Sequence, residues 1–153
     1  MNFSEKSVIF LATGCYAGKI PVAPGTFGSA VGLPLCYFLS RIDLRYSFVI
    51  ILALIALSIL IAHRAQRFFE KKDPGDIVID EVSGIVVTFF GLPFDVYHVV
   101  FGFLLFRVMD IFKPYPIRLI DQRVSGGKGI VLDDVMAGVY ANVATRILHQ
   151  FLT

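Results

Sequence analysis

Residues 47–62 read SFVIILALIALSILIA and include no charged side chain over sixteen positions. Arg45 and Arg64 are the nearest charged residues on either side. Apolar side chains occupy every face of four helical turns, whereas a surface helix of a soluble protein has one apolar stripe. As a helix the run would cover about 24 Å. This is slightly less than the roughly 30 Å hydrocarbon core of a bilayer, and the flanking arginines could close the gap by snorkelling. The run therefore predicts a membrane-spanning helix.

The composition of the whole chain agrees with a membrane environment. Hydrophobic residues make up 56% of the 153 residues and charged residues only 17%, with a mean hydropathy of +0.75. In an average soluble domain, roughly 45–50% of the residues are hydrophobic and about 25% are charged. The net charge of +2 is small and its carriers are scattered, so we expect no nucleic-acid partner. The length fits one domain over residues 1–153.

Three further apolar segments lie near residues 28–40, 82–108 and 131–152. The segment 82–108 is interrupted at residues 91–95 (GLPFD), which is typical of a turn, so we predict two short helices that form a broken hairpin. The predicted fold class is all-α, a small helical bundle of a polytopic membrane protein. The alternative is a soluble helical bundle with an unusually apolar core, because a fully buried helix can also be apolar all round.

The placement of basic residues predicts the membrane topology. Eleven of the fourteen fall in three segments, before residue 28, between 63 and 79, and between 107 and 130. One pair of crossings followed by the hairpin puts all three segments on one side, and the positive-inside bias makes that side cytoplasmic. The eleven residues are Lys6, Lys19, Arg64, Arg67, Lys71, Lys72, Arg107, Lys113, Arg118, Arg123 and Lys128.

The same topology gathers five carboxylates at the cytoplasmic boundary. Asp80 and Glu81 begin the third helix, Asp110 ends the fourth, and Asp133 and Asp134 begin the last. Carboxylates at apolar helix ends are costly unless they are paired or bound to metal. Helix capping could explain one of them alone, but not two adjacent acidic pairs and Asp110 together. Oxygen ligands without histidine or cysteine favour a hard cation, so we expect Mg²⁺ bound by all five.

Two segments near these acids could bind an anion. Residues 23–29 (APGTFGS) form a glycine-rich turn at a helix start, where backbone N–H groups and the hydroxyls of Thr26 and Ser29 could hold phosphate, although simple N-capping explains them as well. Residues 125–129 (SGGKG) have a flexible backbone whose N–H groups could approach an oxyanion, or they form a plain surface loop. Arg107 and Lys113 each lie three residues from Asp110 on the same helix face, and Arg118 follows.

Four blocks of the sequence resemble the phosphatidylglycerophosphatase A family in order and spacing. They are residues 23–29 (APGTFGS), 80–84 (DEVSG), 107–118 (RVMDIFKPYPIR) and 126–138 (GGKGIVLDDVMAG), and the resemblance extends over residues 13–140. It implies a helical, Mg²⁺-dependent phosphatase of the bacterial inner membrane. Such an enzyme hydrolyses phosphatidylglycerophosphate to phosphatidylglycerol and inorganic phosphate, as a step of phospholipid biosynthesis.

The resemblance and the residues together lead to one mechanistic hypothesis. We expect Asp80, Glu81, Asp110, Asp133 and Asp134 to hold Mg²⁺. The expected catalytic residues are these five together with Lys113 and Arg118. Attack on phosphorus by water and attack by one of the carboxylates both remain open. The residues expected to bind the substrate phosphate are Thr26, Gly28, Ser29, Lys113, Arg118 and Lys128.

Two other functions remain as alternatives to a phosphatase. A small membrane carrier would also have acids within an apolar bundle, but it should place them near the middle of the membrane and show internal repeats, and the sequence has neither feature. A non-catalytic membrane adaptor would not need clustered carboxylates. The expected partners are a membrane lipid substrate and the bilayer, and the sequence leaves a homo-oligomer open.

Overall fold

The computed structural model describes residues 3–69 and 75–152, which form α-helices joined by turns and include no β-strand. The predicted all-α fold is thus confirmed. Lys71 and Lys72, two of the predicted cytoplasmic basic residues, lie outside the described residues. The helices are α1 (Phe3–Ala12), α2 (Pro24–Leu39), α3 (Leu44–Ala65), α4 (Ile79–Thr88), α5 (Val96–Phe112), α6 (Ile117–Arg123) and α7 (Gly127–Leu152), with short 3-10 helices at Ala17–Lys19 and Gln66–Phe68.

Local capping places several helix starts earlier than the apolar runs alone predict. Pro24 opens α2, where its fixed φ suits a first helical turn. The Asp43 carboxylate accepts a hydrogen bond of 2.8 Å from the backbone N–H of Arg45 and so begins α3. Helices α2 and α3 therefore begin four and three residues before the starts predicted at residues 28 and 47.

The predicted broken hairpin over residues 82–108 is confirmed. Helix α4 ends at Thr88, and the chain turns through Gly91, whose φ of +65° is a backbone conformation that favours glycine. Asp95 then caps α5 by accepting a hydrogen bond of 3.0 Å from the backbone N–H of His98. The two helices thus fold back on each other through a short connection.

Helices α4 and α7 form the centre of the bundle. They run in the same direction, and residues four apart on α4 lie opposite residues four apart on α7. Helix α4 also packs against α2 and α3, and α7 also packs against α3, α5 and α6. A Cβ atom on Gly138 would overlap the carbonyl oxygen of Gly84, so these glycines allow the two backbones to touch. One turn further on, the Asn142 side chain donates hydrogen bonds to the carbonyls of Thr88 and Phe90 at 2.7 and 2.9 Å. The Asn142 side chain thus joins α7 to the end of α4.

The segment Leu44–Phe68 is, within the described ranges, the one helical segment long and apolar enough to cross a membrane. Only 22% of its apolar window is buried inside the protein. A core helix of a soluble bundle would be mostly covered by its neighbours. The exposure of this helix therefore favours a membrane helix over the soluble alternative.

Candidate active site

Three carboxylates from two helices converge at one end of the α4–α7 pair. Asp80 and Glu81 lie in the first turn of α4, and Asp134 lies on the facing side of α7. One oxygen of each lies within 4.8 Å of the others, so these three residues, the acidic triad, could hold a metal ion. Asp80 and Asp134 each lie four residues before a glycine of the Gly84–Gly138 contact and share its helix face. The close approach of the backbones one turn away therefore brings the acids together.

The acidic triad contains buried oxygen atoms that nothing in the described protein satisfies. Asp80 Oδ1, Glu81 Oε2 and Asp134 Oδ2 are buried and have no hydrogen-bond partner. Burial, followed by the negative charges of Glu81 and Asp134, raises the pKa of Asp80 well above its ordinary value, and burial also raises the pKa of Glu81. Buried oxygens are normally paired. Oxygen ligands of this kind fit a hard divalent cation such as Mg²⁺, which would satisfy them and offset their repulsion.

Asp110 flanks the acidic triad from the end of α5. Its carboxylate interacts electrostatically with those of Glu81 and Asp134. Its Oδ2 atom also forms an ion pair of 2.7 Å with Arg107 Nη1, one helical turn earlier on α5. Asp110 therefore belongs to the same charge cluster, with one oxygen held by an arginine.

Asp133 is not part of the acidic triad and pairs with a lysine. Successive residues on a helix point about 100° apart, so adjacent aspartates face different neighbours. Lys113 Nζ lies 2.6 Å from Asp133 Oδ2 and 2.9 Å from Asp121 Oδ1. Burial alone would lower the pKa of the Lys113 ammonium, but the hydrogen bonds to Asp133 and Asp121 outweigh it and raise that pKa. Lys113 is thus firmly cationic, and Asp133 Oδ1 is left buried without a hydrogen-bond partner.

The first turn of α2 lies against the acidic triad. A Cβ atom on Gly25 would overlap Glu81 Oε1 and would lie 2.8 Å from Arg107 Nη2. The Ser29 hydroxyl donates to the Gly25 carbonyl at 2.8 Å and accepts from Arg107 Nη1 at 3.4 Å. Thr26 is half-buried in the same turn. The predicted phosphate-binding turn is therefore beside the acids.

Gly28 has a packing role in this turn. A Cβ atom there would meet Val78 Cγ2 at 3.1 Å, and the Cβ of Val78 more closely still. Its lack of a side chain lets α2 approach the start of α4. Gly28 thus supports the turn, whereas Gly25 faces the charged groups.

The remaining predicted phosphate-binding residues lie further out. Arg118 on α6 and Lys128 at the start of α7 are exposed, and no ion pair joins either to the described acids. The glycine beside Lys128 has a packing role, because a Cβ on Gly127 would overlap the Ile59 carbonyl oxygen of α3. The structure brings Asp80, Glu81, Asp134, Asp110 and the α2 turn together. It leaves Arg118 and Lys128 at the surface of the same end.

Neither Arg107 nor Asp121 is among the metal-binding, catalytic or phosphate-binding residues that the sequence predicts. Arg107 lies three residues before Asp110, a spacing that puts the two side chains on one helix face, and this was an available signal. Asp121 contacts Lys113 because the chain turns at residues 114–116 and α6 folds back. Nothing in the local sequence of Asp121 indicates that contact.

Known proteins resemble this chain over most of its length. Residues 10–149 match the family model described as Phosphatidylglycerophosphatase A. A protein of that name from Escherichia coli is 38% identical over 131 residues, which cover 84% of this chain and 76% of that protein. A protein of the same name from Haemophilus influenzae is 34% identical over 144 residues, which cover 93% of this chain and 88% of that protein. A Bacteroides thetaiotaomicron protein, named as a candidate phosphatidylinositol-3-phosphatase, is 30% identical over 146 residues, covering 91% of each chain. No solved structure matches the chain significantly.

Proposed function

The chain belongs to the phosphatidylglycerophosphatase A family, and from this premise we infer that it hydrolyses phosphatidylglycerophosphate to phosphatidylglycerol and inorganic phosphate. We propose that the acidic triad holds Mg²⁺ for this reaction. One observation carries the proposal: carboxylate oxygens of Asp80, Glu81 and Asp134 lie within 4.8 Å of one another, and each residue retains a buried oxygen without a hydrogen-bond partner. A carrier or an adaptor gives no reason for this arrangement at the end of the bundle.

The reaction needs strong stabilisation of charge. Hydrolysis of a phosphate monoester is among the slowest uncatalysed reactions, so an enzyme must lower its barrier by on the order of 20 kcal/mol. Most of this comes from positioning and from charge stabilisation. When bound, Mg²⁺ would supply positive charge next to the phosphoryl oxygens. Asp110 and Asp133, beside the triad, would add to the field that attracts the cation.

The chain's own cations and donors surround the acids. The Lys113 ammonium, held beside Asp133, lies at the rim of the site, where it can bind a phosphate oxygen. Arg118 and Lys128 at the surface would attract the anionic headgroup, and the turn with Thr26, Gly28 and Ser29 would offer hydroxyl and backbone donors. Substitution of any of these residues should weaken substrate binding, and loss of Lys113 should also lower turnover, because its ammonium would stabilise the charge that develops in the transition state.

Two routes of attack on phosphorus fit these residues. In one, a water molecule attacks and the glycerol oxygen leaves. In the other, one of the carboxylates attacks phosphorus and displaces the glycerol oxygen, and water then hydrolyses the resulting acyl phosphate. Hydroxylamine added during turnover distinguishes them, because it converts an acyl phosphate to a hydroxamate on the protein and does not react with a plain carboxylate.

The central test is phosphate release from phosphatidylglycerophosphate by the purified protein, with and without Mg²⁺. We expect release only with Mg²⁺. Asp134→Asn and Lys113→Ala should each lower turnover by orders of magnitude while leaving the helical circular dichroism unchanged. Arg123→Gln is the control, because Arg123 is exposed on α6 and forms none of the contacts described above. Full activity of both active-site variants would contradict the site assignment.

The Bacteroides relative provides a competing lipid substrate. Its name refers to phosphatidylinositol 3-phosphate, another lipid phosphate monoester. We propose phosphatidylglycerophosphate as the preferred substrate because the two relatives of higher identity are named for it. The kcat/KM values for the two lipids, measured in the same vesicles, test this preference. A higher value for the inositol lipid would reverse it.

We also propose that the bundle crosses the bacterial inner membrane several times, with the acidic end on the cytoplasmic side. Exposed apolar side chains support this, because they recur every fourth residue along two further helices: Val96, Val100, Leu104 and Val108 on α5, and Val139, Val143 and Ile147 on α7. Such a continuous apolar stripe is typical of a surface that faces lipid. Exposure of the same stripe to water would be energetically unfavourable. Helix α3 with 22 residues would cover about 33 Å.

Cysteine labelling in intact cells tests the orientation. Exposed Cys15 is first replaced by serine, whereas Cys36 is buried and can remain. We expect a cysteine at Arg41, between α2 and α3, to react with an impermeant maleimide added outside the inner membrane. A cysteine at Lys128 should react only after the membrane is permeabilised. Labelling of both from one side would contradict the multi-pass arrangement.

A further inference from the structure

We infer that Arg107, which none of the predicted functional sets includes, binds the phosphate group of the substrate directly. This inference rests on the proposed phosphatase function of the same site. It assigns to Arg107 the inner contact with phosphate and leaves Lys113, Arg118 and Lys128 at the rim.

The position of Arg107 is the first argument. Its guanidinium lies between the Asp110 carboxylate, 2.7 Å from Nη1, and the start of α2, where Nη2 is 2.8 Å from the position a Gly25 Cβ would take. Only 15% of its side chain is exposed. The acidic triad is adjacent, because the same Gly25 Cβ would also overlap Glu81. A phosphate group that reaches the triad must therefore come close to this guanidinium.

The hydrogen bonds of Arg107 leave donors available. A guanidinium has five N–H groups in a fixed fork. In the described structure Nη1 contacts Asp110 and Ser29, whereas Nε is buried and has no hydrogen-bond partner. A buried N–H of a charged group without a partner is costly. An incoming phosphate oxygen would satisfy it.

The other cations are less suited to the inner position. Lys113 Nζ is occupied by Asp133 and Asp121, and Arg118 and Lys128 are exposed. Arginine also matches phosphate better than lysine, since its fork can form two parallel hydrogen bonds to two phosphate oxygens. Among the described cations, Arg107 alone combines proximity to the triad with a buried free donor.

Arg107 forms one of the few links between α2 and α5. These two helices both pack against α4 but make few direct contacts with each other. The 3.4 Å contact from Arg107 to the Ser29 hydroxyl joins them and is long for a hydrogen bond of a charged group. A phosphate could displace it at little cost, and Asp110 would continue to orient the guanidinium.

A purely structural role makes a different prediction. If Arg107 only offsets the negative charge of Glu81 and Asp110, its removal should alter the affinity for Mg²⁺ and leave phosphate affinity unchanged. If Arg107 binds phosphate, its removal should weaken phosphate and substrate together. Competitive inhibition by inorganic phosphate therefore separates the two roles.

The experiment compares the wild-type protein, Arg107→Gln, Arg107→Lys and the control Arg123→Gln in lipid phosphate hydrolysis. We expect Arg107→Gln to raise both the KM for lipid and the inhibition constant of inorganic phosphate at least about tenfold, the effect of losing a charged hydrogen bond. Arg107→Lys should recover only part of this, because it keeps the charge without the fork. The control should match the wild type.

Several outcomes would overturn the inference. Wild-type phosphate inhibition in Arg107→Gln, with only the Mg²⁺ dependence changed, leaves Arg107 as a structural charge partner. If Arg107→Gln does not fold, Arg107→Lys decides, because it retains a cation beside Asp110: a raised inhibition constant supports the inference and an unchanged one refutes it. Failure of the wild-type protein to release phosphate from any lipid would instead refute the proposed function itself.

Discussion

Gly25 occupies a position at which any side chain would meet the two kinds of charge that the site combines. On one side lies the Glu81 carboxylate of the acidic triad, and on the other lies the Arg107 guanidinium. Both groups are the ends of flexible side chains, so they could move to make room. A larger residue at this position should therefore disturb the chemistry more than the fold.

Gly25→Ala, which adds a single methyl group, tests whether a larger residue at this position impairs catalysis more than stability. We expect kcat/KM for lipid hydrolysis to fall at least about tenfold, because the added methyl group displaces Glu81 or Arg107 by an ångström or more, and small misplacements of this kind are costly in catalysis. Stability should change by no more than about 1 kcal/mol, since alanine favours a helix more than glycine does. Gly75→Ala is the matched control, because nothing lies within 4 Å of a Cβ there. Unimpaired hydrolysis by Gly25→Ala would show that the α2 turn takes no part in the site.

The roles of single residues were only partly predictable from sequence. The acidic character of the site follows from the apolar surroundings of five carboxylates, which make an unpaired charge costly. Which of two adjacent aspartates faces the triad depends on the rotation of α7 about its axis, and packing against α4 sets that rotation. The pairing of Lys113 with Asp121 depends on the path of the chain into α6. No local pattern encodes either feature.

At the scale of elements, the register of α4 against α7 positions the acids. Asp80 faces Asp134, Gly84 faces Gly138, and Thr88 faces Asn142, at intervals of four residues on both helices. The middle pair brings the backbones into contact, and the last pair adds a side-chain hydrogen bond. The helices themselves were predictable from apolar runs and turn residues, whereas this register was not, because it depends on small residues meeting across two distant segments.

Gly138→Ala tests the importance of this contact. Its Cβ would overlap a backbone carbonyl oxygen, which cannot rotate away as a side chain can. We expect a loss of stability of about 1–3 kcal/mol, typical of overpacking in a close-packed interior, and a lower midpoint of thermal unfolding in detergent. The acids one turn away should also separate, so activity should fall as well. An unchanged melting temperature would mean that the two helices can move apart freely, contrary to the register described above.

At the scale of the whole molecule, charge and apolar surface are segregated. The acidic triad, Asp110, Lys113 and the basic residues of α6 lie at one end of the bundle, and apolar side chains cover much of the outward surface of α3, α5 and α7. This segregation was predictable from the sequence. In the predicted topology, the basic segments and the acids lie at those ends of the apolar segments that share one side of the membrane. The sequence places Arg107 on the helix face of Asp110, but the contact of Arg107 with the first turn of α2 could not be predicted, since it requires the three-dimensional arrangement.

Mg²⁺ should stabilise the entire protein if the acidic triad binds it. A ligand that binds only the folded state adds stability by mass action, about 2.7 kcal/mol at a concentration one hundred times its dissociation constant. We therefore expect the unfolding midpoint to rise with Mg²⁺ concentration in the wild-type protein. The rise should be much smaller in Asp134→Asn, which removes one ligand. Equal shifts in the two proteins would indicate that the cation binds elsewhere, for example to lipid or detergent headgroups.

The backbone contact between Gly84 and Gly138 also has a kinetic consequence. Because it fixes the spacing of the two helices by backbone packing alone, we expect the triad oxygens to be held in place before a Mg²⁺ ion binds, in spite of their mutual repulsion. Binding would then require no rearrangement of the chain, and the slow event should be the release of water from the hydrated ion, which Mg²⁺ gives up reluctantly. Stopped-flow uptake should accordingly be faster for Mn²⁺ or Ca²⁺ than for Mg²⁺, following the water-exchange rate of each ion.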